Sequence, residues 1–250
     1  MTGAPHSADL SELAHEDLER LRTILERSEK EAQCFWDGAV HDLRAAHRGI
    51  AISLEMLLSS LPADLGEEAT NATRDLQTSV SAMRGLLAAI TSYSRCAAPS
   101  GYSFSNVDTE DALDRALAEL EPEIGRAHAT IRRSPLPKVI GDQWRITELF
   151  EVLIDNALKY RSANPLVLEI AARHESDRCL FSISDNGIGI DRQYWEDIFV
   201  PFRRLHGSRI PGVGLGLAIA RKIADAHHGT LEIDSAPGRG TTVRFSLPAA

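Results

Sequence analysis

Ile183-Ser184-Asp185-Asn186-Gly187-Ile188-Gly189-Ile190 ends an apolar run on an acid and follows it at once with two glycines. The run reads as a strand whose last side chain is a carboxylate, able to accept a hydrogen bond from an amino group such as that of adenine. Gly187 and Gly189 let backbone approach a ligand without a Cβ in the way. Taken alone, the pattern reads more readily as a tight turn with a solvated acid. Its neighbours on both sides change that reading.

Downstream, Pro211-Gly-Val-Gly-Leu-Gly-Leu-Ala-Ile-Ala-Arg-Lys-Ile223 carries a glycine-rich loop straight into an amphipathic helix. Free backbone N–H groups at such a helix start suit anionic phosphates. A dinucleotide-binding fold needs Gly-x-Gly-x-x-Gly directly after a strand. Here the glycines are Gly212, Gly214 and Gly216, and the stretch 199–209 before them reads as a mobile loop, which argues against a nicotinamide cofactor.

Upstream, Glu148-Leu-Phe-Glu-Val-Leu-Ile-Asp-Asn-Ala-Leu-Lys-Tyr160 is a helix on which Asn156 and Lys159 are i, i+3 neighbours. An amide oxygen suits Mg²⁺ and an ammonium suits phosphate. By itself the pair also fits a plain helix C-terminus with Lys159 complementing the dipole.

In order, Asn-Ala-Leu-Lys-Tyr, Asp-Asn-Gly-Ile-Gly, Ile198-Phe-Val-Pro-Phe-Arg-Arg-Leu205, Gly-Val-Gly-Leu-Gly-Leu and Gly238-Arg-Gly-Thr241 resemble the N, G1, F and G2 boxes and the terminal strand pair of the histidine-kinase ATP-binding domain. The wording Pro-Phe-Arg-Arg-Leu-His is most similar to kinases of the bacterial phytochrome type. The resemblance implies an α/β sandwich of the histidine kinase/GHKL (Bergerat) ATPase type, with ATP and Mg²⁺ as cofactors. It further implies that Asn156 ligates the metal, that Lys159 and Tyr160 face phosphates and nucleotide, and that Asp185 anchors adenine. Gly187 and Gly189 would line the pocket, Gly212, Gly214 and Gly216 would form the lid, and Phe202, Arg204, Leu217 and Thr241 would complete the nucleotide site. Val152 stands where the family often has a second asparagine, and Glu151 could replace it only from a different helix face.

The amino-terminal part has another rhythm. Ala14, Leu18, Leu21, Leu25, Ala32, Phe35 and Ala39 follow the four-three steps of a coiled-coil seam, with Ser28 as a polar lapse. The stripe continues through Leu43, Ala46, Ile50, Leu54, Leu57 and Leu61, with a stutter at Ala39 that locally unwinds a supercoil. Pro62 ends this helix, and Leu76, Val80, Met83, Leu87 and Ile90 mark a second. Such a hairpin buries too little alone, so pairing with a second copy into a dimeric four-helix bundle is expected. The expected divisions are 1–35 as a signalling coiled-coil helix, 36–98 as a dimerisation and phosphotransfer hairpin, and 99–250 as the ATP-binding domain, joined through a flexible 97–101 linker. In that last domain strands are expected near 102–107, 128–132, 166–172, 179–184, 230–234 and 241–246, and helices near 109–120, 143–160 and 214–227, with the sheet covered on one face.

Val40-His-Asp-Leu-Arg-Ala-Ala-His-Arg-Gly-Ile50 resembles the H box of the same family at its first four positions and its last. At ~100° per residue His41 points away from the core positions Ala39 and Leu43, so its imidazole faces solvent. Asp42 can orient the ring or take its proton, and Arg44 can offset incoming phosphate charge. His47 is the rival acceptor, without an acid after it. His128, His174, His206, His227 and His228 read as solvated loop or helix-end residues. Ala46 replaces the family's proline, and Ala45 replaces the Thr or Asn that helps position water in phosphatase chemistry.

The resemblance thus implies a two-component sensor kinase that phosphorylates its own His41 from ATP and passes the phosphoryl group to an aspartate on a response regulator receiver domain. Its sensor input would come from outside the chain. A degenerate scaffold that docks a regulator without turning over nucleotide is the alternative, supported by Val152 and Ala46. A net charge of -9 argues against nucleic acid as partner. No run approaches the ~20 apolar residues of a membrane span and the start lacks signal-peptide regions, so a cytoplasmic setting is expected. The separated Cys34, Cys96 and Cys179 suit a reducing compartment and read as packing residues.

Overall fold

The computed structural model describes residues 7–62, 66–96, 102–205, 210 and 212–250. The side chains of Ala14, Leu18 and Leu25, the 97–101 linker and His206 lie outside the described residues.

Helix α1 (Ser7–Ser60) runs unbroken through the stutter, and α2 (Glu67–Cys96) folds back along it. On α1 the hairpin is closed by a face one residue beyond the expected stripe, with Val40 and His47 buried, whereas on α2 the buried Leu87 belongs to the expected stripe. Leu21, Phe35 and Ile50 of the stripe remain 63%, 70% and 52% exposed while Leu54 and Leu61 are half-buried, so the described residues leave much of the stripe uncovered. Among the described residues no helix is long and apolar enough to cross a membrane.

The second half begins with β1 (Ser105–Asp108), followed by α3 (Thr109–Glu119), α4 (Glu121–Ala127), β2 (Thr130–Arg133) and β3 (Lys138–Gly141). Then come α5 (Gln143–Lys159), β4 (Val167–Glu175), β5 (Arg178–Asp185), α6 (Gly216–Ala226), β6 (Leu231–Ser235) and β7 (Thr241–Pro248). Five strands form one sheet in the order β2-β4-β5-β7-β6, with β2 and β4 parallel and the other neighbours antiparallel. β1 and β3 form a separate antiparallel pair. Two elements escape the sequence pattern. β3 is four residues long and exists because β1 pairs with it, and α4 is a seven-residue helix with Pro122 in its first turn.

α5 starts where Asp142 caps it, its carboxylate accepting the N–H groups of Trp144 and Arg145 at 3.0 Å. Ile146, Leu149, Phe150, Leu153, Ile154 and Ala157 recur at helical spacing and are buried against the sheet. At the centre the Phe181 and Phe245 rings stack at 4.9 Å, and Phe150 meets both edge-on at 6.2 and 5.9 Å. Replacing Phe245 by Ala removes two of these three ring contacts. It is expected to lower the unfolding free energy of this domain by about 3–5 kcal/mol, read by urea titration.

Candidate functional site

The C-terminal end of α5, the end of β5 and the start of α6 converge on one cavity of about 810 Å³, open mouth included. Asn156, Tyr160, Asp185, Gly189, Arg204, Gly214, Leu217 and Thr241 line it. Its walls are largely apolar, from Leu153, Ile183, Ile190 and Val243, so a flat ring can be buried there with few polar contacts.

Asp185 is held at the β5 end by the sheet itself. Its register partner across β5 and β7 is Thr241, whose N–H donates to Asp185 Oδ1 at 3.2 Å, and Gly187 N–H donates to the same oxygen at 2.7 Å. These bonds leave Oδ2 for a ligand. Burial nevertheless raises the carboxyl above its usual range, against the opposing pull of the two N–H donors. Ile188 N–H donates to Tyr160 O at 3.0 Å, tying this loop to the end of α5. Gly189 has φ +72°, and a Cβ on it would lie 1.9 Å from Ala236 O, so no other residue fits.

The remaining expected residues flank the cavity rather than line it. Gly187 sits behind Asp185, and a Cβ there would come 2.4 Å from Tyr160 O. Phe202 is 54% exposed with φ +64°, and its contribution is a backbone N–H donated to Gly214 O at 2.9 Å. That bond, with Gly214 at φ +75°, pins the loop carrying Arg204 to the glycine run. Arg203, which the sequence reading passed over, also lines the cavity and pairs with Asp197 at 3.0 Å. Lys159 stands beside Gly212 but is ion-paired with Asp155 one turn back. Gly216 begins α6, and a Cβ there would meet a Val152 methyl at 3.3 Å.

Asn156 brings a neutral oxygen suited to a hard cation, and Asp185 is the one carboxylate of the cavity lining. Among the described residues no group of three or more His, Cys, Asp or Glu could hold a metal ion. That donor set fits Mg²⁺ only when phosphate oxygens and waters supply most of its shell. Glu151 offers no substitute, since burial raises its carboxyl and its charged neighbours are Glu148 and Glu119.

On the stem, His41 has 77% of its side chain exposed, and its Nδ1 lies 3.3 Å from Asp42 Oδ1. His47 is buried, with Nε2 2.8 Å from Val80 O, so it is a packing residue of the hairpin. Arg44 is half-buried in the groove between the helices, beside Arg48 and Arg84. His227 corrects the expectation of a solvated ring. It is fully buried at the end of α6, where Nε2 accepts the Asp142 N–H at 3.0 Å and Nδ1 faces Ile223 O at 2.7 Å. Burial lowers its pKa, and the accepted N–H fixes the proton on Nδ1. Of the cysteines, Cys34 is exposed, whereas Cys96 and Cys179 are buried.

Residues 141–250 match the family described as histidine kinase-, DNA gyrase B-, and HSP90-like ATPase. The chain is 36% identical over 245 residues to cyanobacterial phytochrome A of Nostoc sp., covering 96% of this chain and 30% of that protein. It spans less than a third of the length of such relatives. Full-length ShkA, solved in complex with AMPPNP, aligns with a TM-score of 0.70 at 24% identity, covering 86% of this chain and 45% of that one. Histidine kinase ThkA, solved in complex with response regulator protein TrrA, aligns with a TM-score of 0.62 at 18% identity, covering 92% of this chain and 66% of that one. The ordered motifs, the cavity they surround and these likenesses agree: residues 141–250 form a histidine kinase-, DNA gyrase B-, and HSP90-like ATPase domain, and with the helical hairpin before it the chain is similar to the carboxy-terminal part of phytochrome-type kinases.

Proposed function

We propose that the chain transfers the γ-phosphoryl group of ATP to His41 and then to an aspartate on a response regulator receiver domain. The observation that carries this reading is an exposed imidazole whose Nδ1 faces a carboxylate, on the same chain as an ATPase-type cavity. A carboxylate accepts, so Nδ1 holds the proton and Nε2 presents its lone pair to solvent. Nε2 attacks the γ-phosphorus in line, the bond to the ADP oxygen breaks, and the Nδ1 proton shifts toward Asp42 as positive charge develops on the ring. Arg44 is close enough in sequence to offset phosphate charge from the adjoining turn. The N–P bond then serves as donor to the aspartate.

In the cavity, Asp185 Oδ2 accepts from the adenine amino group and the apolar walls take the ring. Asn156 would hold Mg²⁺, which supplies charge neutralisation on the phosphates when bound. Lys159 exchanges Asp155 for phosphate, an exchange of one anion for another at a half-buried ammonium. The uncovered stripe on α1 supports a homodimer built as a four-helix bundle. The divisions at 35/36 and 98/99 are retained as functional units, although the first falls inside one continuous helix. A sensor supplies the input, and the setting is cytoplasmic. ShkA bound to AMPPNP and ThkA bound to a regulator support the two ligands assigned here.

A second reading is a scaffold that docks a regulator without turnover, favoured by Val152, which brings a methyl rather than an oxygen to the start of α6. Incubation with γ-labelled ATP separates the two. The kinase gives acid-labile, alkali-stable label on the protein, and His41→Gln abolishes it. Label that survives this substitution removes His41 as acceptor, and no label on wild type leaves the scaffold.

Asp185→Asn keeps an oxygen for the Gly187 and Thr241 N–H groups while removing a buried charge. Because burial raises the folded-state pKa, wild-type stability increases as pH falls through that raised value toward the unfolded one. Without nucleotide, D185N is therefore expected to melt above wild type at neutral pH, with the gap closing as pH is lowered. Its affinity for ATP is expected to fall at least about tenfold by calorimetry. Unimpaired binding would remove Asp185 as the adenine anchor.

Ala45 is exposed one turn beyond His41 and offers no hydrogen bond to a water. Ala45→Thr is expected to increase dephosphorylation of a phosphorylated regulator. An unchanged decay rate would show that this position does not limit that reaction.

A further inference from the structure

The groove between α1 and α2 carries a charge imbalance that the packing of the hairpin does not explain. Arg44 and Arg48 from α1 and Arg84 from α2 line it, against a single carboxylate, Glu55. Among the described residues none of these arginines has an ion-pair or hydrogen-bond partner. Elsewhere on the two helices Arg27 pairs with Glu31, and Arg74 bonds Asn71. Three unopposed guanidinium groups along one groove raise the local positive potential and suit an anionic group.

The groove runs past His41. At about 100° per residue His41 and Arg48 lie within about 20° of each other around α1, so the imidazole opens onto the groove side. The exposed stripe residues Leu43, Ile50 and Leu57 lie on the opposite side of α1, and a dimer formed through them leaves the groove open. His47 Nε2 meets Val80 O at 2.8 Å, and this antiparallel register puts Arg84 level with Leu43, about 3 Å along the stem from His41. Val40 and Leu87, both buried, fall level in the same register. Arg44 is one turn from His41, about 4.5 Å along α1, whereas Glu55 is about 21 Å away. Asp42 is engaged at the ring's Nδ1. The nearest charges on the groove side of His41 are therefore two arginines, one from each helix.

We propose that Arg84 is a second phosphoryl-binding residue: from α2 it brackets, together with Arg44 of α1, the phosphoryl group in transit at His41. This rests on the kinase reading. No bond changes at Arg84. The N–P bond forms at Nε2, the bond from the γ-phosphorus to the ADP oxygen breaks, and the guanidinium keeps its protons while donating N–H groups to the non-bridging oxygens. Arg44 alone approaches those oxygens from one side. A second fork from the facing helix holds the group in line with the Nε2 lone pair.

The test uses the full chain without a regulator and follows label on His41 from γ-labelled ATP. Arg84→Ala is expected to slow the initial rate at saturating ATP about tenfold or more, with the half-saturating ATP concentration unchanged, because the nucleotide cavity belongs to the other domain. Arg84→Lys keeps a charge there and is expected to recover the rate to within about threefold of wild type. Arg74→Ala removes the same charge about 15 Å further along α2 and leaves the rate unchanged. Arg84 is exposed and unpaired, so its loss leaves the melting temperature unchanged. Phosphorus NMR sees the bracket directly, through the phosphohistidine resonance that is absent from His41→Gln. A nearby cation favours the fully charged phosphoryl group, so R84A is expected to move the midpoint of its titration up by about half a unit or more. An unchanged rate in R84A, equal slowing in R84A and R74A, or R84K as slow as R84A would overturn the assignment. So would a midpoint that stays in place, or a higher half-saturating ATP concentration at an unchanged maximal rate. Normal labelling of His41 with slowed transfer to a regulator would make Arg84 a docking residue and also overturn it. If wild type takes no label from ATP, the kinase reading fails, and His41 loaded chemically with potassium phosphoramidate still tests the bracket through its midpoint.

Discussion

The packing of α5 on the sheet is the constraint from which the rest follows. Phe150 wedged edge-on against the stacked Phe181 and Phe245 rings fixes the rotation of that helix. Once its apolar face is committed, Asn156 and Tyr160 must line the cavity at one end, and Arg145 and Glu148 must meet the stem near the other. One helix therefore carries both the nucleotide face and the grip on the hairpin. A close-packed aromatic core transmits position rather than absorbing it, so neither end can be reoriented independently.

At the cavity the fold holds charge where it is costly. Asp185 is a buried carboxylate with two backbone donors on one oxygen, and desolvation still outweighs them. A buried carboxylate whose charged form is disfavoured by desolvation is a candidate for ligand binding, since a donor from the ligand offsets what the fold leaves unmatched. Lys159 is in the opposite condition, satisfied by Asp155 and therefore inexpensive until a phosphate competes for it. The loop bearing Arg203 and Arg204 is tied down through backbone by the Phe202 and Gly214 bond, and through side chains by Arg203 on Asp197 and Arg204 on Ile210 O, so both arginines are held at the cavity wall.

The hairpin divides its faces differently. Val40 and His47 close it against α2, while the four-three stripe is left for another surface. His41 follows Val40 directly, so burying Val40 turns the imidazole outward, and Asp42 then sits at its Nδ1. A buried His47 bonded to a backbone carbonyl also pins the α1–α2 register.

How much of this was readable in advance depended on sequence distance. The ordered boxes, the α5 periodicity, the outward His41 and the cavity residues Asn156, Asp185 and Gly189 were legible, because each is set by spacing within a single helix, strand or turn. Leu153 and Ile183 were within reach too, one helical turn before Asn156 and two strand positions before Asp185. Strand β3, the burial of His227 and the Glu148 contact with Ser92 were not. Asp142 and His227 bond across 85 positions, and Ser92 and Glu148 across 56. Local pattern determines which side of an element is apolar or polar, because backbone geometry repeats every few residues. Which polar groups then satisfy one another is decided only when distant elements are brought into register, since buried donors and acceptors must take the partners that packing places beside them.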